Sequence, residues 1–428
     1  MSEALLHYLW QFQYFEKNEL QTTTGEPVQI FNPGLRNADA GPDFHSARMK
    51  IGEMEWIGSA EIHIQSSGWL AHRHDKDPAY DNVVLHIVWD NDKPIRRRDG
   101  SMLPTIELRD RVDKKFVSNY QRLLNSPETI PCAPYLPQVP EIIRISAVER
   151  AVIDRLESKA AKITETLVRN HGDWQETFYQ ILSRSFGFKV NADPFEQLAR
   201  LLPLKVLRKH GDKLLQVEAL LFGQAGFLDE EADDPYYTIL RREYNILRQK
   251  YGLSDRRLNR SQWKFLRLRP ANFPTIRLAE LAALLFHRPA LFSQCLEARS
   301  YDELFTLLAV ENSEYWKSHY TFFRETREPV SFMGSSSIST VIINTVVPLL
   351  VAYGKSKDDQ QFVDRAVTIL QQTPPETNRI TLEWKTMGMK SKTAFDSQGI
   401  IELNNGYCTR RRCLDCEVGV TLINPRKR

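Results

Sequence analysis

Asn37 to Asp90 reads NADAGPDFHSARMKIGEMEWIGSAEIHIQSSGWLAHRHDKDPAYDNVVLHIVWD, and its alternation decides the fold. Asp43 through Ile51 and Trp56 through Gln65 have the period of two expected of strands, separated by the polar turn Gly52-Glu53-Met54-Glu55, so they predict a β-hairpin. Val83 to Trp89 is apolar on both faces, as expected of a strand buried on both sides of a sheet. Between them, Ser66 to Tyr80 holds a short helix or an ordered loop rich in histidine and aspartate. Strand side chains alternate between faces, so Glu61, His63 and Gln65 project from one face and Ala60, Ile62 and Ile64 from the other.

On the N-terminal side, Glu3 to Asn18 spaces Leu5, Leu6, Leu9, Phe12 and Phe15 as an amphipathic helix does. Val28 to Phe31 reads as a short strand ahead of the turn Asn32-Pro33-Gly34. On the C-terminal side, a strand and a helix are expected within Thr105 to Leu124. Residues 127–140 (PETIPCAPYLPQVP) contain five prolines, too many for a regular element. Beyond them the texture is helical, with patterns over Ile145–Val168, Asp173–Phe186, Pro194–Leu202, Lys205–Leu221, Tyr236–Tyr251, Thr275–Phe286, Tyr301–Leu308, Ile338–Tyr353 and Asp358–Gln371. The fold class is therefore α+β. A mixed-sheet α/β domain spans 1–125, a proline-rich linker 126–141, a helical domain 142–377 and a cysteine-bearing tail 378–428.

The chain has 428 residues, 42% apolar and 26% charged, which is ordinary for a soluble globular protein. A net charge of +3 is too small to establish a nucleic-acid partner by itself, so only local clusters of cations argue for one. No signal-like N-terminal segment and no run of roughly 18 apolar residues is visible, which makes a cytoplasmic, non-membrane protein the expectation. The oligomeric state is left open.

A hairpin brings the strand that follows Asp43 alongside the one carrying Glu61, so their carboxylates are placed to share one divalent cation. Oxygen ligands suit Mg²⁺ or Mn²⁺, and such an ion activates water and stabilises charge on a phosphodiester. Pro42-Asp43 followed by Glu61-Ile62-His63 on the next strand resembles the PD-(D/E)XK nuclease superfamily in motif and in element order, which is that of restriction endonucleases. The resemblance implies that Asp43 and Glu61 are metal-binding acids and that His63 stands where the motif has its lysine. A displaced activating group is then sought in Lys50 or Lys76, and Glu16 matches the extra acid that some members supply. The expected function is a metal-dependent nuclease. The alternatives are a non-catalytic nucleic-acid-binding or scaffold protein on the same fold, and a zinc-dependent hydrolase. The chain is also similar over most of its length to an uncharacterised bacterial family known as a domain of unknown function, through GPDF, the WIGSAEIHIQSSGWLAHRHDKDPAYDNVVLHIV block, RPANFPTIRLA and DSQGIIELNNGYCTRRRCLDC.

A second reading of the stretch takes His63, His72, His74 and Asp77 as a zinc or manganese site, with His86 a core histidine and Tyr80 and Asn82 turn residues. Arg256, Arg257, Arg260, Lys264, Arg267, Arg269 and Arg277 interleave with Trp263, Phe265 and Phe273, the mixture of cations and rings that nucleic-acid grooves use. Buried aromatics beneath a solvated basic face are the plainer account of the same pattern. Cys408-x4-Cys413-x2-Cys416 has part of a metal-ligand spacing, and Cys132 is the candidate distant fourth ligand for zinc or an iron–sulfur cluster. Some PD-(D/E)XK nucleases carry a cluster on one remote and three grouped cysteines, although there the remote cysteine precedes the nuclease core.

Overall fold

A computed structural model describes residues 1–253, 257–327, 329–330 and 332–424. The chain divides into two compact units, Met1–Ala147 together with the segment from Asn404 onward, and Val148–Leu403. The architecture is mixed α+β, with the sheet near the N-terminus and helices dominating the rest.

The first unit opens with α1 (Glu3–Gln11), capped by the Ser2 hydroxyl and burying Leu5, Leu6, Leu9 and Trp10. The predicted helix runs on to Asn18, but Gln13 takes a positive φ of 55° and the chain turns back, with Tyr14 stacked on Tyr8 and Phe12 tilted against it. The sheet follows as β1 (Val28–Asn32), β2 (Leu35–Arg36), β3 (Phe44–Ile51), β4 (Met54–Gln65), β5 (Val83–Asp90) and β6 (Thr105–Glu107). Its order is β1-β3-β4-β5-β6, with β2 also on β3. β3 pairs antiparallel with β1 and β4, whereas β4–β5 and β5–β6 are parallel. A parallel neighbour cannot be reached by a tight turn, so the chain between β4 and β5 must cross a face of the sheet. That crossover holds α2 (Gly68–Ala71) and a 3₁₀ turn, Pro78–Tyr80.

One face of the sheet is apolar, with Phe44, Ala47, Met49, Ala60, Leu85, Ile87 and Ile106 fully buried. A separate small cluster of Trp69, Val83, Ile95 and Leu103 gathers under the crossover, with Tyr80 against it. α3 (Lys114–Leu124) packs with the C-terminal helix Glu417–Ile423, and the Asn119 amide donates to the Ile423 carbonyl at 3.2 Å. The proline-rich stretch is not a free linker. It folds into a 3₁₀ helix, Ala133–Gln138, and buries Ile130, Cys132, Leu136 and Val139, while the boundary between units falls within the helix Glu141–Arg169.

The second unit is a helical body around Leu182, Phe195, Leu220, Phe222, Leu281, Val346 and Leu349. The expected helices are present with small shifts at their ends. The pattern over Lys205–Leu221 is two helices, Leu204–Arg208 and Leu214–Gln224, because the intervening turn is tied by His210 to Gln216 and Tyr251. Ser335–Lys357 is continuous and apolar enough to cross a membrane by length and composition, yet 67% of its most apolar window is buried, as in a core helix. It contains a π-helical turn at Ile342–Val346.

Candidate metal centre

The loop ahead of β3 is organised by Asn37. Its side-chain Oδ1 accepts from Asp39 N–H at 2.9 Å and its side-chain amide donates to the Pro42 carbonyl at 3.1 Å, while its backbone N–H donates to the Asp43 carbonyl at 2.8 Å. Short polar side chains that bond nearby backbone stabilise such turns. A bulge follows in β3, where the register against β4 shifts between Phe44 and Ala47 and Ser46 has φ 57°. Bulges re-aim side chains beside sites, and here the result is a reciprocal lock between the two acids. Asp43 N–H donates to Glu61 Oε2 at 3.0 Å, and Ile62 N–H donates to Asp43 Oδ2 at 3.0 Å. The same Asp43 oxygen lies 3.1 Å from His7 Nε2 on α1.

β4 presents Glu61 and His63 on its polar face, both buried. The crossover then brings His72 and His74 over that face. Ligand nitrogens of His63, His72 and His74 all lie within 4.8 Å of one another, the one such group of three or more potential ligands among the described residues. His63 Nε2 is 3.1 Å from His72 Nδ1, Glu61 Oε1 is 3.3 Å from His74 Nε2 and 3.9 Å from His63 Nε2. Two nitrogens each about 2.1 Å from a metal, at right to tetrahedral angles, stand about 3.0 to 3.4 Å apart. The donor set therefore fits an ion without large movement. His63 and His74 are buried and His72 is exposed, so one side opens to solvent.

Behind these groups, His63 Nδ1 and His86 Nε2 are 2.8 Å apart. With His63 protonated on Nδ1, its Nε2 lone pair faces the other histidines, the usual arrangement of a second partner that sets a ligand's tautomer. Gly68 is required here, because a Cβ would lie 2.7 Å from the His63 ring. Trp69 packs edge-on to His74 and at a tilt to His86, and Tyr80 stacks on His74 with centroids 3.7 Å apart. Burial, then the neighbouring imidazoles, hold His63 down to about 3, and burial with the His74 charge does the same to His86. Both are neutral at ordinary pH, the form that binds metal. Burial is the main force raising the Glu61 carboxyl and Asp43 adds to it, against the lowering bond from His74. Burial, then Glu61 and Asp43, push Tyr80 up to about 12, so its hydroxyl stays protonated.

The remaining predicted positions are dispersed. Asp77 is exposed, and its carboxylate caps the 3₁₀ turn by accepting from Ala79 N–H at 2.9 Å. Gln65 is exposed at the end of β4, and Lys50, at the far end of β3 from Asp43, pairs with Glu53 at 3.3 Å. Lys76 is exposed on the crossover. Glu16 lies beyond α1, exposed, and accepts from Asn18 N–H. His7, Asn37 and Gly68 carried no sequence signal of a role, since each is ordinary in its own segment.

The basic cluster belongs to the second unit. Arg256 lies outside the described residues. Arg257 pairs with Asp229, and Arg260 with Glu230 at 2.7 Å. Arg277 is buried, bonded to Glu280 at 2.7 Å and lying over Phe188. Trp263 is buried with its indole N–H on the Ala225 carbonyl, and Phe265 and Phe273 pack on the core. The rings are core, and exposed cations remain at Lys264, Arg267 and Arg269.

A family model described as a protein of unknown function (DUF2851) matches residues 3–379. No curated protein and no solved structure matches the chain.

Proposed function

We propose that this chain, which belongs to the DUF2851 family of proteins of unknown function, is a metal-dependent hydrolase of nucleic-acid phosphodiesters. The observation that carries this reading is the convergence of His63, His72 and His74 beside Glu61 on the polar face of β4. Three imidazoles and a carboxylate favour Mn²⁺ or Zn²⁺ over Mg²⁺, whose preferred ligands are oxygens. The exposed edge at His72 leaves access for water and substrate, as catalytic sites require and closed structural sites do not. An ion held there supplies a more acidic water and charge stabilisation at a phosphoryl oxygen.

Support for a phosphodiester substrate comes from the locked acid pair Asp43–Glu61 on adjacent strands, followed by a crossover to a parallel strand, the order that the PD-(D/E)XK resemblance implies. His63 takes the motif's lysine position as a ligand. The proton acceptor then falls to the His7–Asp43 pair beside it, since Lys50 and Lys76 lie elsewhere. Labelled DNA and RNA should be cut by the full chain in the presence of Mn²⁺ or Zn²⁺. Glu61→Gln and His72→Ala should each abolish cutting and lower metal stoichiometry. Full activity in both variants, or no bound metal in the unmodified chain, would overturn the reading.

A further inference from the structure

Four of the five cysteines belong to the first unit, and none of them is among the acids and histidines used above. Cys132 precedes the 3₁₀ helix Ala133–Gln138, Cys408 ends the π-helical turn Leu403–Cys408, Cys413 lies in the following loop and Cys416 opens the helix Glu417–Ile423. All are free thiols; Cys132, Cys408 and Cys413 are buried and Cys416 is half-buried. The two segments are far apart in sequence and are clamped by Arg411. Its guanidinium donates to the Ser126 carbonyl at 2.9 Å and the Glu128 carbonyl at 3.0 Å, and its backbone N–H donates to the Cys408 carbonyl at 3.1 Å.

Burial pushes the Cys408 and Cys132 thiols up, and the neighbouring thiols add to it, Cys132, Cys416 and Cys413 acting on Cys408 and Cys416 and Cys413 on Cys132. Burial pushes the Cys416 thiol up, and the backbone N–H groups of Gly419 and Val418 act against that rise. Gly419 lets that turn close, because a Cβ there would stand 2.1 Å from the Cys413 carbonyl oxygen. The fifth cysteine, Cys295, is buried in the second unit.

The spacing distinguishes the ligand. A single tetrahedral zinc, at about 2.3 Å from each sulfur, draws the sulfurs to about 3.8 Å from one another. No three of these sulfurs lie within 4.8 Å of one another, the histidine group being the one that does among the described residues. A cubane takes one thiolate at each of four separate irons and holds them wider. We propose that Cys132, Cys408, Cys413 and Cys416 ligate a [4Fe–4S] cluster that fastens the C-terminal segment onto the 126–132 segment. The cluster arrives preformed, and each thiol loses its proton to solvent as its iron–sulfur bond forms.

Full-length protein purified without oxygen should be brown, with visible absorption bleached by dithionite and about four iron and four acid-labile sulfide per chain. Cys408→Ser and Cys416→Ser should each lose most of the iron and sulfide, whereas Cys295→Ser keeps both. Should the ligand variants be insoluble, the unmodified chain is stripped and treated anaerobically with ferric iron, sulfide and excess thiol, the thiol reducing half of the iron. Recovery of the absorption then supports the proposal, and failure to recover it overturns it. Stoichiometric zinc at these thiols without sulfide, or four freely alkylated thiols in anaerobic protein, also overturns it. Because sulfide is counted separately from metal, the outcome is independent of whether the histidine centre binds an ion.

Discussion

At the residue scale the candidate centre turns on histidines whose partners differ. In the proposed centre His63 is a ligand and His86, 2.8 Å behind it, its buried support; His7 stands aside on α1 with Asp43. Expected behaviour follows from those differences. His7→Ala should leave metal stoichiometry intact and lower turnover by about 10²- to 10⁴-fold, the range of a lost general acid–base group; an equal loss of metal would make it a ligand instead. The acid response is also set here. His63 and His86 are held down to about 3, whereas in the unfolded chain they titrate near 6.5. Between those values the unfolded chain binds protons that the folded unit refuses, so metal-free stability is present above about pH 6.5 and drains away as pH falls toward 3. Glu61, raised by burial, acts with the opposite sign just above its ordinary carboxyl range. The buried His86 Nδ1 has no hydrogen-bond partner among the described residues, so His86→Leu should flatten the dependence of Tm on pH across that window in metal-free protein. An unchanged slope would show that other groups control it.

At the element scale the crossover between β4 and β5 is what makes a site from a strand face. Period-two alternation already put Glu61 and His63 on one side, but only the parallel pairing of β4 and β5 requires the chain to carry His72 and His74 back over that side. Gly68 begins α2 directly against His63. Gly68→Ala should displace that ring and weaken metal binding by roughly 10- to 100-fold, the usual cost of disturbing a ligand's support, while far-UV circular dichroism stays unchanged. Asp77 separates ligand from cap. Asp77→Ala should cost about 0.5 to 2 kcal/mol of stability, as lost caps do, without changing metal content by isothermal titration. Loss of the metal in that variant would restore Asp77 to the ligand set. The helix periods, by contrast, were readable almost to their ends, and failed where a turn was tied by distant partners, as at His210, or where the chain reversed, as at Gln13.

At the scale of the whole molecule, two compact units divide the work differently from the sequence texture. The tail from Asn404 joins the first unit, through the Arg411 clamp and the packing of Glu417–Ile423 on α3, although helical sequence separates it from that unit by most of the chain. The basic run of the second unit shows how composition misleads about surfaces. Arg277 is in a buried pair with Glu280, so Arg277→Ala should cost about 3 to 5 kcal/mol by leaving an uncompensated buried charge. Chemical denaturation measures this, and a change in nucleic-acid affinity at unchanged stability would contradict it. What the sequence determined alone is the α+β class, the hairpin, most helices and the residue types available for chemistry, because periodicity and turn chemistry act over a few residues. Which histidines meet, which cations are already neutralised, and that the cysteine-bearing tail is tied through Arg411 to the proline-rich segment were decided only by tertiary structure. Those outcomes depend on strand direction and on long-range docking, and neither leaves a local period to read.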